Sequence, residues 1–236
     1  MSNEATRECR YMRIAVIIPT LNEASSIVDT LTRVRQESPC ELIVVDGGST
    51  DGTPELARPH ADRVIAGPRG RARQMNSGAQ EARGEILLFL HADTILPVGF
   101  PQLLAQVLHD PHIVGGRFDV RLDAEGWPFR MIETMMNFRS RLTRISTGDQ
   151  AMFVRRHIFL DIGGFPDLAL MEDIEFSRQL KRVGRIACLH ERVVTSARRW
   201  QRDGVSRTIM RMWVLRFGYF LGVPPERLRA FYAETR

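Results

Sequence analysis

Four short apolar runs, each separated from the next by a segment of helical period, constrain what this chain can fold into. They are residues 13–19 (RIAVIIP), 41–47 (ELIVVDG), 63–66 (RVIA) and 86–90 (ILLFL). β-branched runs without polar alternation read as strands buried on both faces. After the first run, Asn22 offers an N-cap and Ile27, Leu31 and Val34 fall at helical spacing. A short helix from Pro54 precedes the third run, and another helix ends at Gly84 before the fourth. This rhythm predicts an α/β fold with a mostly parallel central sheet and helices on both faces. Ligands of such sheets sit beyond the carboxyl ends of the strands.

The second half is less regular. It reads as a helix over 101–109, a strand over 113–122, a Met- and aromatic-rich helix over 127–144, a strand over 151–154 and a helix over 174–183. At 236 residues the chain makes one large domain, or one domain with an appendage. With 44% hydrophobic and 26% charged residues it can bury a core without staples. Cys9, Cys40 and Cys188 are odd in number and form no CxxC pair, which excludes a disulfide framework and fits a reducing, cytoplasmic setting. No signal-peptide pattern precedes residue 13, and the apolar stretch 209–223 is broken by Arg211 and Arg216, short of a membrane span. The expected organisation is a flexible 1–12, a catalytic domain over 13–200, and a helical basic extension over 201–236 packed on it.

The strand ends carry the chemistry. A dinucleotide fold fails because the first turn, PTLNEASS, has no glycine; a P-loop fails because GxxxxGK[ST] is absent. LLFLHADT imitates a phosphatase motif, but His91 stands where the nucleophilic Asp belongs. Asp93 is the metal candidate, since a carboxylate at the end of a buried strand can hold a hard cation and through it a diphosphate. His91 projects to the same side of an extended chain, and as a second ligand it would favour Mn²⁺ over Mg²⁺. Glu172 and Asp173 open a helix, where the dipole alone explains two acids and where one could also take a proton from an acceptor hydroxyl. Arg198 and Arg199 beside Trp200 offer guanidinium forks for phosphate oxygens.

Taken in order, IIPTLNE, VVDGGSTDGT, RGRARQMNSGAQEARGEILLFLHADT, GGFPDLALMEDIEF and SARRW resemble family-2 glycosyltransferases of the GT-A fold, over residues 13 to about 200. The GGF…MEDIEF and TSARRW pieces are most similar to a small bacterial branch found beside radical-SAM/selenodomain genes, sometimes labelled arsenosugar-biosynthesis transferases. The resemblance implies that Pro19, Thr20, Asn22, Glu23, Asp46, Ser49, Asp51, Arg71, Gln74, Asn76 and Arg198 line the donor nucleotide. It implies Asp93, with His91, at a Mn²⁺ or Mg²⁺ ion, and Asp173 as general base of an inverting reaction, with Glu172 and Arg199 catalytic beside it. Gly148, Asp149, Gln150 and Trp200 fall on the acceptor side. Two departures stand out: the DxD motif reads His91-Ala92-Asp93, and Ser196 replaces the Gln of QxxRW. With no membrane spans either, transfer of a single sugar is expected rather than polymer synthesis. The alternative is a catalytically weak homologue that binds nucleotide or lipid as a partner protein.

The net charge of +5 is concentrated at the end: from Ser196 onward nine arginines face three acids. Projected at 100° per residue, residues 205–221 present a wide apolar arc with Arg216 inside it. A helix packed on the domain is favoured over one lying at an inner-membrane surface near a lipid acceptor. Nucleic acid is not an expected partner, because no recognition helix or aromatic–basic sheet accompanies the charge. The expected partners are a nucleotide-sugar donor and a small-molecule or lipid acceptor.

Overall fold

The computed structural model describes residues 12–234, so the stretch expected to be flexible lies, apart from Met12, outside the described residues. The first half runs β1 (Ile14–Thr20), α1 (Ile27–Glu37), β2 (Glu41–Asp46), α2 (Thr53–Ala57), β3 (Arg63–Ala66), α3 (Arg71–Glu81) and β4 (Ile86–Phe89). The second half runs β5 (Thr94–Ile95), α4 (Phe100–Val107), β6 (Ile113–Asp123), α5 (Trp127–Thr143), a 3₁₀ turn (Gly148–Gln150), β7 (Met152–Arg155), α6 (Arg156–Asp161), α7 (Glu172–Val183) and β8 (Arg185–Ser196). Helices α8 (Arg198–Asp203), α9 (Val205–Phe220) and α10 (Pro225–Glu234) follow.

One sheet of eight strands has the order β3-β2-β1-β4-β7-β6-β8-β5. The first four are parallel; β7 runs antiparallel to β4 and β6, while β6 and β8 pair in parallel. From β1 the chain moves one way to β2 and β3, then returns to the other side of β1 as β4. That reversal opens a crevice at the carboxyl ends of β1 and β4.

The period-two alternation of the strands divides the core into two layers. Ile14, Val16 and Ile18 join Leu42, Val44 and Leu88 under α1 and α4. Ala15, Ile17, Ile43, Val45 and Leu87 face α3, α6 and α7 on the other side. There Phe89, Phe159, Phe165 and Phe176 form an aromatic block, with the Phe165 and Phe176 ring centres 4.2 Å apart. Between β6 and β7 the backbones approach so closely that a Cβ on Gly115 would stand 2.4 Å from the Phe153 carbonyl oxygen.

One local reading is corrected. Asn22 does not cap α1: the helix starts at Ile27 after Ser26, and Asn22 takes a left-handed φ of 57° in the preceding turn. Residues 185–196 form the long strand β8, although His190, Glu191 and Arg192 break its apolar pattern. Arg198 opens helix α8.

The C-terminal helices pack on the start of α7. Leu215 and Leu228 join Met171 and Ile174 in one cluster, and the Tyr219 hydroxyl donates to Glu175 at 3.3 Å. This contact uses one narrow side of α9. Met210, Trp213, Val214, Phe217, Phe220 and Leu221 line the other side and remain exposed. No helix among the described residues is long and apolar enough to cross a membrane.

Candidate active site

The loops that follow β1 and β2 are laced into one rim. Asn22 N–H donates to Ser49 Oγ (2.8 Å), Thr50 N–H to Asn22 Oδ1 (2.9 Å), Glu23 N–H to Thr53 Oγ1 (2.9 Å) and Ala24 N–H to Asp51 Oδ2 (3.0 Å). Asp51 also accepts from Thr53, fixing the first turn of α2. Short polar side chains thus satisfy the backbone that two tight turns leave open.

Asp46 closes β2 and is buried at the base of this rim. Its carboxylate accepts from Gly48 N–H (2.9 Å), Ser49 N–H (2.8 Å), the Ser49 hydroxyl and Thr20 Oγ1 (3.2 Å). Burial drives its pKa up, but the bonds from Ser49, Gly48 and Thr20 outweigh that, so it stays below the ordinary carboxylate range and ionised. Gln74, on α3, is buried behind it, and its amide donates to the carbonyls of Thr20 and Val45, both at 2.8 Å. Asn76 faces a different neighbour: its amide exchanges two hydrogen bonds with the backbone of Phe165 (2.8 and 2.9 Å), latching the loop before α7 onto α3. Pro19 lies within β1 in register with Val45. Of the residues expected at the nucleotide, Asn22, Glu23, Ser49 and Asp51 therefore build the rim and Thr20, Asp46 and Gln74 its base, while Asn76 holds the loop before α7.

At the end of β4 the two metal candidates meet different partners. Asp93 Oδ2 lies 3.4 Å from the Arg198 guanidinium, whose same nitrogen reaches Glu23 Oε2 at 3.3 Å. Arg198 also donates to Ser25 Oγ (3.2 Å) and to Ser196 Oγ (3.1 Å), the residue in the expected Gln position. His91 instead packs on Gly148: a Cβ there would stand 2.7 Å from His91 Nε2. Burial first, then the positive charges of Arg71 and Arg199, hold the imidazole well below its usual pKa, so it is neutral.

Gly148 also contacts the acids at the start of α7. Its N–H donates to Asp173 Oδ2 at 3.0 Å, while Asp173 Oδ1 accepts from Ile174 N–H at 2.8 Å. The turn is held by a capping box in which the Gln150 side chain and Thr147 bond each other's ends. Burial raises the Asp173 pKa, the bonds from Gly148 and Ile174 oppose it, and the neighbouring Asp149 raises it further. Glu172 is pushed up to about 7, by burial first and by the Asp173 charge second, with Arg71 pulling it down. The two adjacent carboxyls share one poorly solvated place, so their protons come off as a pair.

Trp200 packs beside Leu122, Ile132 and Ala197, with its ring part of that cluster. Sequence reasoning missed Arg139. Burial first, and the Arg216 charge second, lower its guanidinium to about 10. A signal existed: on α5 it is flanked by Ile132, Glu133, Asn137 and Ser140, polar and apolar residues that together form the buried face. A polar cavity of about 420 Å³, lined by residues such as Asp119, Glu133, Asn137 and Arg192, lies between α5 and strands β6 and β8 rather than at the strand ends.

Comparison with known proteins agrees with this geometry. Residues 15–163 match the model of glycosyl transferase family 2. Glycosyltransferase AglE of Haloferax volcanii is 28% identical over 65% of this chain and 56% of its own length. Undecaprenyl-phosphate 4-deoxy-4-formamido-L-arabinose transferase of Pseudomonas paraeruginosa is 26% identical over 61% of this chain and 46% of its own length. This chain therefore matches only about half the length of these relatives. Among solved structures, mannosyltransferase PcManGT from Pyrobaculum calidifontis, in complex with GDP-Man and Mn²⁺, superposes with a TM-score of 0.61 at 25% identity, covering 77% of this chain and 56% of that one. The fold is GT-A, as the order of the motifs implies. With the matched segment running from β1 past the end of α6, the chain belongs to glycosyl transferase family 2.

Proposed function

We propose that the protein transfers a single sugar from a nucleoside-diphosphate sugar to an acceptor hydroxyl, with inversion. One observation carries this reading: Gly148 leaves no room for a side chain against His91, which follows β4, and donates its N–H to Asp173 at the start of α7. This juxtaposition supports reading the donor-side strand ends and the pair of acids as parts of one site. Asp46 at the rim meets the nucleoside, Arg71 and Arg199 flank the diphosphate, and Asp173, approaching from the other side, accepts the proton of the attacking hydroxyl. Glu172 sets the electrostatic environment of that base.

A divalent cation fits this site. Two carboxylates, Glu23 and Asp93, converge on the positive charge of one guanidinium. No group of three or more metal-ligating side chains occurs among the described residues, so diphosphate oxygens would complete the ligand set. Asp93 would hold the ion with Glu23 beside it, whereas His91 lies among Arg71 and Arg199 in a positive field. When bound, the ion supplies charge neutralisation at the leaving diphosphate. PcManGT, whose structure is in complex with GDP-Man and Mn²⁺, supports both a nucleotide-sugar donor and a metal.

The test is thermal-shift titration with UDP, GDP, CDP and dTDP, each with and without Mn²⁺ or Mg²⁺. One nucleotide should stabilise the protein only with metal, and Asp93→Ala should lose that response. Asp173→Asn should keep it while transfer and donor hydrolysis disappear. No response to any nucleotide in folded protein would overturn the reading in favour of a non-catalytic partner protein.

A lipid acceptor at a membrane surface is a second reading, favoured by the exposed stripe on α9. Its six large apolar side chains recur at steps of three and four, with exposed Arg207 in line at one end. The undecaprenyl-phosphate transferase among the relatives supports it. Wild type should float with anionic vesicles and Trp213→Ser/Phe217→Ser should not; equal flotation of both removes this reading. We also place the chain in the radical-SAM-associated branch, on the GGF…MEDIEF and TSARRW segments.

A further inference from the structure

Two arginines from distant parts of the chain lie within electrostatic range of each other beside the proposed base, and neither makes an ion pair with a carboxylate among the described residues. Arg139 comes from α5 and Arg216 from α9. Arg139 Nε and Nη2 and Arg216 Nε are buried N–H donors with no hydrogen-bond partner. Asp149 Oδ1, in the turn that presents Gly148 to Asp173, is buried and unpaired as well. Buried guanidinium groups are ordinarily paired, because their desolvation is costly and an unmade hydrogen bond adds to it. Here two of them repel each other, and burial together with that repulsion lowers Arg139 to about 10.

The surroundings show what is missing. The carboxylates in electrostatic range of Arg139 are Asp149 and Asp173, and the oxygens of Asp173 already accept backbone N–H bonds. Arg117, also in range, is committed to Asp119 and to the Asn137 carbonyl. What remains is two guanidinium groups with N–H donors to spare and one unpaired Asp149 oxygen, a combination suited to an oxyanion that keeps a proton, such as hydrogen phosphate. The packing of α9 on α7 through Leu215 holds Arg216 in this position.

We propose that Arg139 and Arg216 form a phosphate-binding subsite on the acceptor side, so that the acceptor carries a phosphate group near the hydroxyl that takes the sugar. This rests on the glycosyl-transfer reading for its meaning as an acceptor site, but the binding of phosphate stands apart from it. The phosphate belongs either to a lipid headgroup or to a free molecule.

Inorganic phosphate is the first probe, titrated against chloride at matched ionic strength and followed by thermal midpoint, both without nucleotide and with the donor side saturated. Wild type should be stabilised by phosphate in both conditions. Arg139→Met and Arg216→Met should each weaken phosphate binding about tenfold or more. Without phosphate their midpoints should equal or exceed that of wild type, because each removes one of two repelling buried charges while keeping an apolar stem. Their responses to nucleotide should be unchanged, so a failure of the donor reading shows separately. Absence of a phosphate response in wild type, a response undiminished in the variants, or variants less stable than wild type without phosphate would each overturn the proposal. Vesicles of phosphatidylcholine with and without phosphatidic acid then assign the source. Retention lost in Arg216→Met places the phosphate on a lipid, and retention independent of phosphatidic acid places it on a soluble molecule.

Discussion

Replacing Arg198 should move metal and nucleotide binding in opposite directions. One nitrogen of its guanidinium lies 3.3 Å from Glu23 and 3.4 Å from Asp93, so in the free protein this side chain competes for the carboxylates proposed to hold a cation. The Arg198 side chain is 56% exposed, against 31% for Glu23 and 27% for Asp93, so each pair is worth about 0.2–1 kcal/mol. Freeing both acids in Arg198→Gln should release about 0.4–2 kcal/mol, tightening Mn²⁺ binding by about 2–30-fold. A guanidinium–phosphate bond is worth about 1.5–3 kcal/mol, so nucleoside-diphosphate affinity at saturating Mn²⁺ should fall by about 10–100-fold. The electron paramagnetic resonance signal of free Mn²⁺ measures the first quantity and calorimetry the second. The gain in Mn²⁺ affinity should shrink as salt screens the exposed pairs. Unchanged or weaker Mn²⁺ binding in Arg198→Gln would refute the competition, and unchanged nucleotide affinity would remove Arg198 from the diphosphate.

Two further outcomes follow from the same geometry. Because Glu172 titrates near 7 in the folded protein and near 4.5 when unfolded, the unfolded state binds fewer protons between those values and stability falls as pH rises through that window. Glu172→Gln should therefore raise the melting temperature relative to wild type at pH 8 but not at pH 4.5, and parallel melting curves across this range would contradict the assignment. Gly115→Ala places a methyl group against the backbone of Phe153 and should cost about 1–3 kcal/mol by chemical denaturation, whereas an unchanged midpoint would mean that β6 and β7 can separate freely.

The parts of the fold visible in the sequence are those whose environment is uniform. β1 and β2 are covered on both faces, so nearly every residue is apolar and the runs identify themselves. β8 has a varied environment: exposed Glu191 and Arg192 lie along it, and its pairing with β6 is interrupted by register shifts, so no period survives. The site divides in the same way. Asp46 and Asp93 follow buried strands, and the strand-end rule finds them without further information. The destination of Arg216 depends on which side of α9 docks on α7, and a wide apolar arc leaves that open. Asn22 and Asn76 are polar residues whose partners are backbone groups 28 and 89 positions away, distances no local pattern spans.

Gly148 lies between the His91 ring and the Asp173 carboxylate with no side chain of its own to absorb movement. A ligand that shifts His91 would therefore also alter the hydrogen bond to Asp173, and in the proposed reaction this links donor occupancy to the proton affinity of Asp173. Linkage is reciprocal: if the donor changes how tightly Asp173 holds its proton, protonation of Asp173 changes how tightly the donor is held. In the proposed reaction, one residue without a side chain would thus tie the proton of Asp173 to the state of the donor side.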